Sequence, residues 1–173
     1  MHFCPNSRFI AGGKMKLTNF LKRYEPKKYW TKRQYVVNTC GGGGKLKKAF
    51  CLLYVRICET YNGASTGVQM NGGAVFESEA DFVHGLTGII ISPYAHIGKN
   101  ARIFHHVTIG AREVVPGDAP VIGDNVTIFP CATIIGKIRI GNNVKIGPNV
   151  CVWFDVPDNA TVVVQKPRII LKG

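Results

Sequence analysis

From Ile91 onward an isoleucine or valine recurs at every sixth position: Ile91, Ile97, Ile103, Ile109 and, after a gap of thirteen, Ile122, Ile128, Ile134, Ile140, Ile146 and Val152. An amphipathic helix repeats every 3.6 residues and an alternating strand every two; six is neither. A fixed six-residue period predicts a parallel β-helix, in which each hexad supplies one short strand and one turn. The repeated side chain points inward and stacks on its equivalents in the coils above and below. β-Branched residues are stiff at χ1 and fit a pleated, half-buried surface, which explains why leucine is nearly absent at these places.

The other hexad positions agree. Glycine often follows the aliphatic (Gly98, Gly110, Gly123, Gly141, Gly147), and a small or β-branched residue comes four positions after it (Ala95, Ala101, Val107, Val126, Ala132, Ile138, Val144, Val150). Asn100, Asp124, Asn125, Asn142, Asn143 and Asn149 fall near the expected corners, where residues that tolerate left-handed backbone suit a tight turn. A buried α/β domain is the alternative, but no helical pattern separates the strands. The break in register falls on residues 111–121, which include Glu113, Pro116, Gly117, Asp118 and Pro120. This segment predicts a loop extruded from one corner, and in a solenoid such insertions gather on the binding face.

Before the repeat, apolar residues at Leu46, Ala49, Phe50, Leu53, Tyr54, Ile57 and Tyr61 give a helical spacing over Lys45–Tyr61, with Lys47, Lys48, Arg56 and Glu59 at other positions. A shorter helix is expected over residues 17–24, while 29–37 is ambiguous. Gly41 to Gly44 reads as a linker: Lys45 follows, but Leu46 breaks the phosphate-loop pattern. The resulting organisation is a weakly ordered tail at 1–14, a basic helical region at 15–62, the β-helix at 63–157 with its loop at 111–121, and an extension at 158–173.

Charge is uneven. The chain carries a formal +12, and residues 1–61 hold thirteen of the 22 Lys and Arg against Glu25 and Glu59 alone. Basic residues interleave with aromatics (Lys27, Lys28, Tyr29, Trp30, Lys32, Arg33, Tyr35), a composition suited to an anionic surface such as a membrane, to an anionic cofactor tail, or to plain solvation. Nucleic acid is the weakest of these readings and is not expected as a partner. The longest apolar run, 49–55, ends at Arg56, too short to span a bilayer, and residues 1–13 lack the apolar core of a secretory signal. Six cysteines form no CxxC pair and have no histidine at zinc spacing, so no metal is expected. Reduced thiols in a cytoplasmic protein are the simplest reading, with Cys51 and Cys58 in a helix core.

The segments HGLTGIIISPYAHIGKNARIFHHVTIG (84–110) and APVIGDNVTIFPCATIIGKIRIGNNVKIGPNVCVWFDVPDNATVVV (119–164) resemble the hexapeptide-repeat acyltransferases, in particular the serine acetyltransferase branch and its relatives in polysaccharide biosynthesis. The resemblance implies a mainly β fold: a single-stranded left-handed parallel β-helix of triangular section, preceded by a short α-helical region. It also implies a homotrimer, which in some members pairs into a dimer of trimers, and acetyl transfer from acetyl-CoA to a hydroxyl.

That chemistry needs a base for the hydroxyl proton and donors for the oxyanion formed as the thioester is attacked. His84 matches the family's histidine before the TGI segment and is implied as the base; an imidazole can accept the proton at neutral pH. His105 and His106, at a coil corner, are the competing candidates, and His96 reads as structural. The resemblance places Gly110 and Ala111 at the thioester, Ala132, Cys131 and Asn149 along the CoA groove, and Lys145, Lys166 and Arg168 near its phosphates.

Two departures bear on the acceptor. The position of the family's orienting Asp, fifteen residues before the histidine, holds Gln69, for which Glu77, Glu79 or Asp81 could substitute. The loop's Arg-His pair for the serine carboxylate is missing, although Asp118 remains, followed by Ala119 and Pro120. Serine is therefore the default acceptor, a sugar hydroxyl in a capsule or lipopolysaccharide precursor the rival, and a catalytically decayed scaffold the third reading.

Overall fold

A computed structural model of the chain describes residues 24–38, 44–70, 72–113, 115–165 and 170. Two helices, α1 (Pro26–Asn38) and α2 (Lys45–Tyr61), precede a small antiparallel hairpin of β1 (Val68–Gln69) and β2 (Gly72–Gly73). The chain then winds through three parallel sheets, one strand of each in turn, so that every sheet is one face of a prism. Face one holds β3 (Val75–Phe76), β6 (His96–Ile97), β9 (Val121–Ile122) and β12 (Arg139–Ile140). Face two holds β4 (Asp81–Leu86), β7 (Arg102–Ile103), β10 (Thr127–Ile128), β13 (Lys145–Ile146) and β15 (Thr161–Val162). Face three holds β5 (Ile90–Ile91), β8 (Thr108–Gly110), β11 (Thr133–Ile135) and β14 (Cys151–Val152). The ladder on face two reaches Val162, five residues beyond the expected end of the β-helix at 157, because Thr161 and Val162 still find partners in Lys145 and Ile146.

The repeated aliphatics are the core. Ile97, Ile122 and Ile140 are in register on face one, Ile103, Ile128 and Ile146 on face two, and Ile91, Ile109, Ile134 and Val152 on face three, all at most 1% exposed. Each fully buried side chain of this size is worth about 1.5–3 kcal/mol relative to exposure. The expected loop leaves between β8 and β9, at the corner joining face three to face one.

The corner between faces one and two explains the asparagines. Asn100, Asn125, Asn143 and Asn159 all have φ between 55° and 60°. Their amides form a ladder: Asn100 Nδ2 donates to Asn125 Oδ1 at 3.1 Å, Asn125 to Asn143 at 3.1 Å and Asn143 to Asn159 at 3.0 Å. Asn125→Ala is expected to cost about 1–2 kcal/mol, because alanine lacks the short polar side chain that lets asparagine occupy left-handed backbone. Asn125→Gly should cost less, since glycine takes that conformation freely. Urea midpoints at unchanged slope measure both.

The first coil departs from the aliphatic rule, for a physical reason. Its inward residues are Phe76 and Phe82, in register with Ile97 and Ile103. Above them lies α1 rather than another coil: Trp30 stacks on Phe82 at 5.3 Å and meets Phe76 edge-on at 5.0 Å. Aromatic rings fill the wider gap between a prism end and a helix.

The helix expected over Lys45–Tyr61 is present with those bounds. The ambiguous stretch 29–37 is helical, and the helix expected at 17–24 lies outside the described residues except Tyr24, which is not helical. The inward side of α2 is Lys48, Cys51, Val55, Cys58 and Glu59. The stripe Leu46, Phe50, Leu53, Ile57 and Tyr61 is 46–76% exposed. Glu59 on this inward side keeps the hydrogen-bond donors that a buried carboxylate needs, and these lie on α1 and at Thr66.

Candidate functional site

The corner between faces two and three collects most of the predicted histidines. Here β4 and the turn after it carry three residues more than a hexad allows, so that inward Phe82 is followed by inward Ile91 after nine positions rather than six. His84 lies in this extension and is exposed. Leu86 and Ile89 anchor the extension, both fully buried, while Gly85 and Gly88 turn it with φ of 71° and 64°. The Gly88 N–H donates to the carbonyl of Asn62, just after α2, at 2.9 Å, which ties the extension to the helical region.

Successive coils stack on the same corner. His106 N–H donates to the Thr87 carbonyl at 3.0 Å, Cys131 to His105 at 3.2 Å and Asn149 to Pro130 at 3.0 Å. His106, Cys131 and Asn149 have φ of 55°, 60° and 56°, each exposed at the tip of its turn. The His84 ring meets His105 edge-to-face at 5.0 Å between centroids and Phe104 at 5.7 Å; His105 meets His106 at 5.5 Å. Phe104 in turn stacks on Phe129 at 5.2 Å, so an aromatic strip runs from the histidines down face two. The structure thus brings His84, His105, His106, Cys131 and Asn149 to one edge.

His105 Nδ1 is buried without a hydrogen-bond partner. A bare acceptor there costs less than a stranded N–H, so the tautomer with its proton on Nε2 is favoured. His106 lies over Gly88, where an added Cβ would run into its imidazole. Gly88→Ala is therefore expected to displace His106 and to cost at least the roughly 1–2 kcal/mol of left-handed strain. A thermal melt checks the stability, and the histidine ring signals in an NMR spectrum check the displacement.

The other candidates are dispersed. Gly110 closes β8 at the opposite edge of face three, in register with Ile135, and its carbonyl accepts the Gly136 N–H; Ala111 lies just past the strand. Ala132 points into the core, fully buried, and its N–H donates to Phe129, so it presents neither side chain nor amide to a groove. Lys145 is exposed on face two beside Thr127 and Thr161. Lys166 and Arg168 lie outside the described residues.

Of the acids, Asp81 pairs with Arg102 at 3.0 Å on face two. Asp118 accepts the Glu113 N–H at 2.6 Å and faces Arg112 at 3.8 Å, which closes the loop on itself. Glu77 bonds His96 at 2.8 Å, the structural role read for that histidine. Gln69 is exposed on the β1–β2 hairpin. Among the described residues no group of His, Cys, Asp and Glu is arranged to hold a metal ion.

What sequence reasoning missed is the three-residue extension itself and the strip of Phe104 and Phe129. Stepping back nine and then six from Ile91 reaches Phe82 and Phe76; aromatic residues there hid the signal.

Residues 119–152 match the family model described as bacterial transferase hexapeptide, six repeats. The repeat is that of the hexapeptide transferases. Serine acetyltransferase of Mycobacterium tuberculosis is 36% identical over 119 residues, 68% of this chain and 52% of the relative. The Helicobacter pylori enzyme of the same name is 33% identical over 62% of this chain and 63% of the relative. The structure of Neisseria gonorrhoeae serine acetyltransferase in complex with serine superimposes with a TM-score of 0.62 at 29% identity, covering 82% of this chain and 54% of that one. The hexapeptide-repeat chain therefore spans between about half and two thirds of the length of the curated relatives it matches.

Proposed function

We propose that this protein is an acetyl-CoA-dependent O-acetyltransferase of the serine acetyltransferase type. The observation that carries the reading is His84, held exposed on the built extension at the corner that also presents His105 and His106. Its imidazole takes the proton from the acceptor hydroxyl as that oxygen bonds to the thioester carbonyl carbon. The carbon–sulfur bond then breaks, and the CoA thiolate leaves with the proton returned by the imidazolium. Backbone amides near Gly110 and Ala111 are the candidate oxyanion donors.

In one chain His84 and Ala111 belong to opposite edges of face three, and the edge of a prism is convex. Both facts favour a homotrimer, in which the edge of one subunit meets the edge of the next and a cleft forms between them. Light scattering at three times the 19.0 kDa chain is the expected result.

Serine is the first acceptor to test, from the names of the relatives. A sugar hydroxyl is the second reading: Asp118 is spent on closing its own loop, and the Phe104–Phe129 strip beside His84 offers a flat apolar face to a pyranose ring. Thiol released from acetyl-CoA with serine, with sugars and with neither decides between them. No thiol release with acceptors of either class would leave the decayed scaffold.

A further inference from the structure

We infer that the exposed face of α2, with the lysine groove beside it, docks on an anionic lipid bilayer. The inference is independent of the acceptor and of catalysis, because it rests on the helical region alone. Leu46, Phe50, Leu53 and Ile57 lie four, three and four residues apart and so share one side of the helix, and they are 76%, 66%, 56% and 46% exposed. Four large apolar side chains in a row on one exposed helix face mark an interaction surface rather than ordinary surface scatter.

What flanks the stripe names the occupant. On one side Lys47 lies over Tyr35 at 5.1 Å, and Lys28 and Lys32 lie over Tyr54 at 5.1 and 5.2 Å. These three lysines line a groove of about 390 Å³ between the helices. On the other side, at the angle set by 100° of rotation per residue, is Lys45; Arg56 lies there too, its guanidinium held by Glu59 at 3.2 Å and by the Val68 carbonyl at 2.7 Å. Residues 24–62 carry only two acids against these cations: Glu59, buried and paired with Arg56 at 3.2 Å, and Glu25, which stands just before α1 near Tyr54.

An apolar stripe bordered by cations on both sides is the arrangement of a helix lying in the membrane interface, apolar side down and lysines among the phosphates. A second copy of the same stripe fits poorly. Helix pairs set opposite charges beside the seam, whereas two copies of α2 would bring Lys45, Lys47 and Arg56 against one another. Among the described residues no helix is long and apolar enough to cross a membrane, so the contact is peripheral.

The test is flotation of the full chain with vesicles of phosphatidylcholine alone and with 30 mol% phosphatidylserine, about that fraction being enough for a surface potential of tens of millivolts. Binding is expected only to the anionic vesicles and should fall as salt rises. Phe50→Glu with Leu53→Glu should abolish it. Each charge-removing change among Lys28→Gln, Lys32→Gln and Lys47→Gln should weaken it about fivefold, from roughly 1 kcal/mol per cation near the surface. Lys28, Lys47, Phe50 and Leu53 are exposed and Lys32 is half-buried, so circular dichroism melts should stay close to the parent protein. Equal binding to both vesicle types, or to neither, overturns the inference. So does a change in molecular mass on light scattering for the Phe50 and Leu53 variant with flotation intact, which would assign the stripe to a second copy.

Discussion

His84→Ala is expected to lower the rate of acetyl transfer by about 10²–10⁴, or roughly 3–5 kcal/mol in the barrier, the worth of a positioned general base. The melting temperature should hardly move, since His84 is exposed and Leu86 and Ile89 hold its segment from beneath. If the base acts only in the transition state, kcat and kcat/KM fall together while KM for acetyl-CoA stays put. His105→Ala and His106→Ala make the comparison specific. His105 sits 5.0 Å from His84 between ring centroids, so its loss perturbs the base and should reduce turnover by less than His84→Ala does. Retention of near-parental turnover in the His84 variant would transfer the role to whichever of the other two proves sensitive.

The parts of this molecule that were legible in advance are the ones that repeat. Stacked coils place the same demand on every sixth residue, so Ile97, Ile122 and Ile140 declare their shared face without any structure. The corner asparagines are readable for the same reason, each needing a backbone conformation that few side chains accept. The proposed site sits where the repetition fails. His84 was found through a resemblance in sequence, whereas the extension that presents it leaves only a nine-residue spacing between Phe82 and Ile91 as a trace.

The helical region is legible in part: the helix Lys45–Tyr61 and its buried Cys51 and Cys58 match the expectation, whereas 29–37 is ambiguous in sequence. Leu46, Phe50 and Leu53, which give the helical spacing, are exposed, and the buried side carries Glu59 beside Cys51, Val55 and Cys58. A moment of hydrophobicity carries no term for a buried charge that must keep its partners. Lys145, Ala132 and Asp118 are named by motif, and a motif fixes only a position in the coil: Lys145 is exposed on face two, Ala132 is buried and Asp118 bonds within its own loop.

Glu59→Ala is expected to be the most destabilising single change outside the coil core, by about 3–5 kcal/mol. Glu59 is 1% exposed and Arg33 2%, so both charges are removed from water. Glu59 Oε1 accepts the Thr66 N–H at 2.9 Å, the Thr66 hydroxyl at 2.7 Å and the Tyr29 hydroxyl at 3.1 Å, while Oε2 faces Arg56 Nη1 at 3.2 Å. Arg33 gives Nε to the Thr66 hydroxyl at 3.2 Å and Nη2 to the carbonyls of Thr66 and Ala74 at 3.1 and 2.7 Å. Burial lowers the Arg33 pKa, with Tyr29 and Glu59 opposing that shift, and burial together with Glu59 raises that of Tyr29.

Removing the carboxylate leaves the guanidinium buried without that counter-charge and strands the Thr66 and Tyr29 donors. Glu59→Gln keeps the acceptor oxygen and should cost less than Glu59→Ala. Arg33→Met combined with Glu59→Leu removes both charges, and double replacement of a buried pair by apolar residues is often neutral. It should recover much of the loss. Urea unfolding of the four proteins, with the slope confirmed constant, gives the comparison. A cost below about 1 kcal/mol for Glu59→Ala, the size of an exposed pair, would mean that the helices are held to the first coil by the Trp30, Phe76 and Phe82 packing alone.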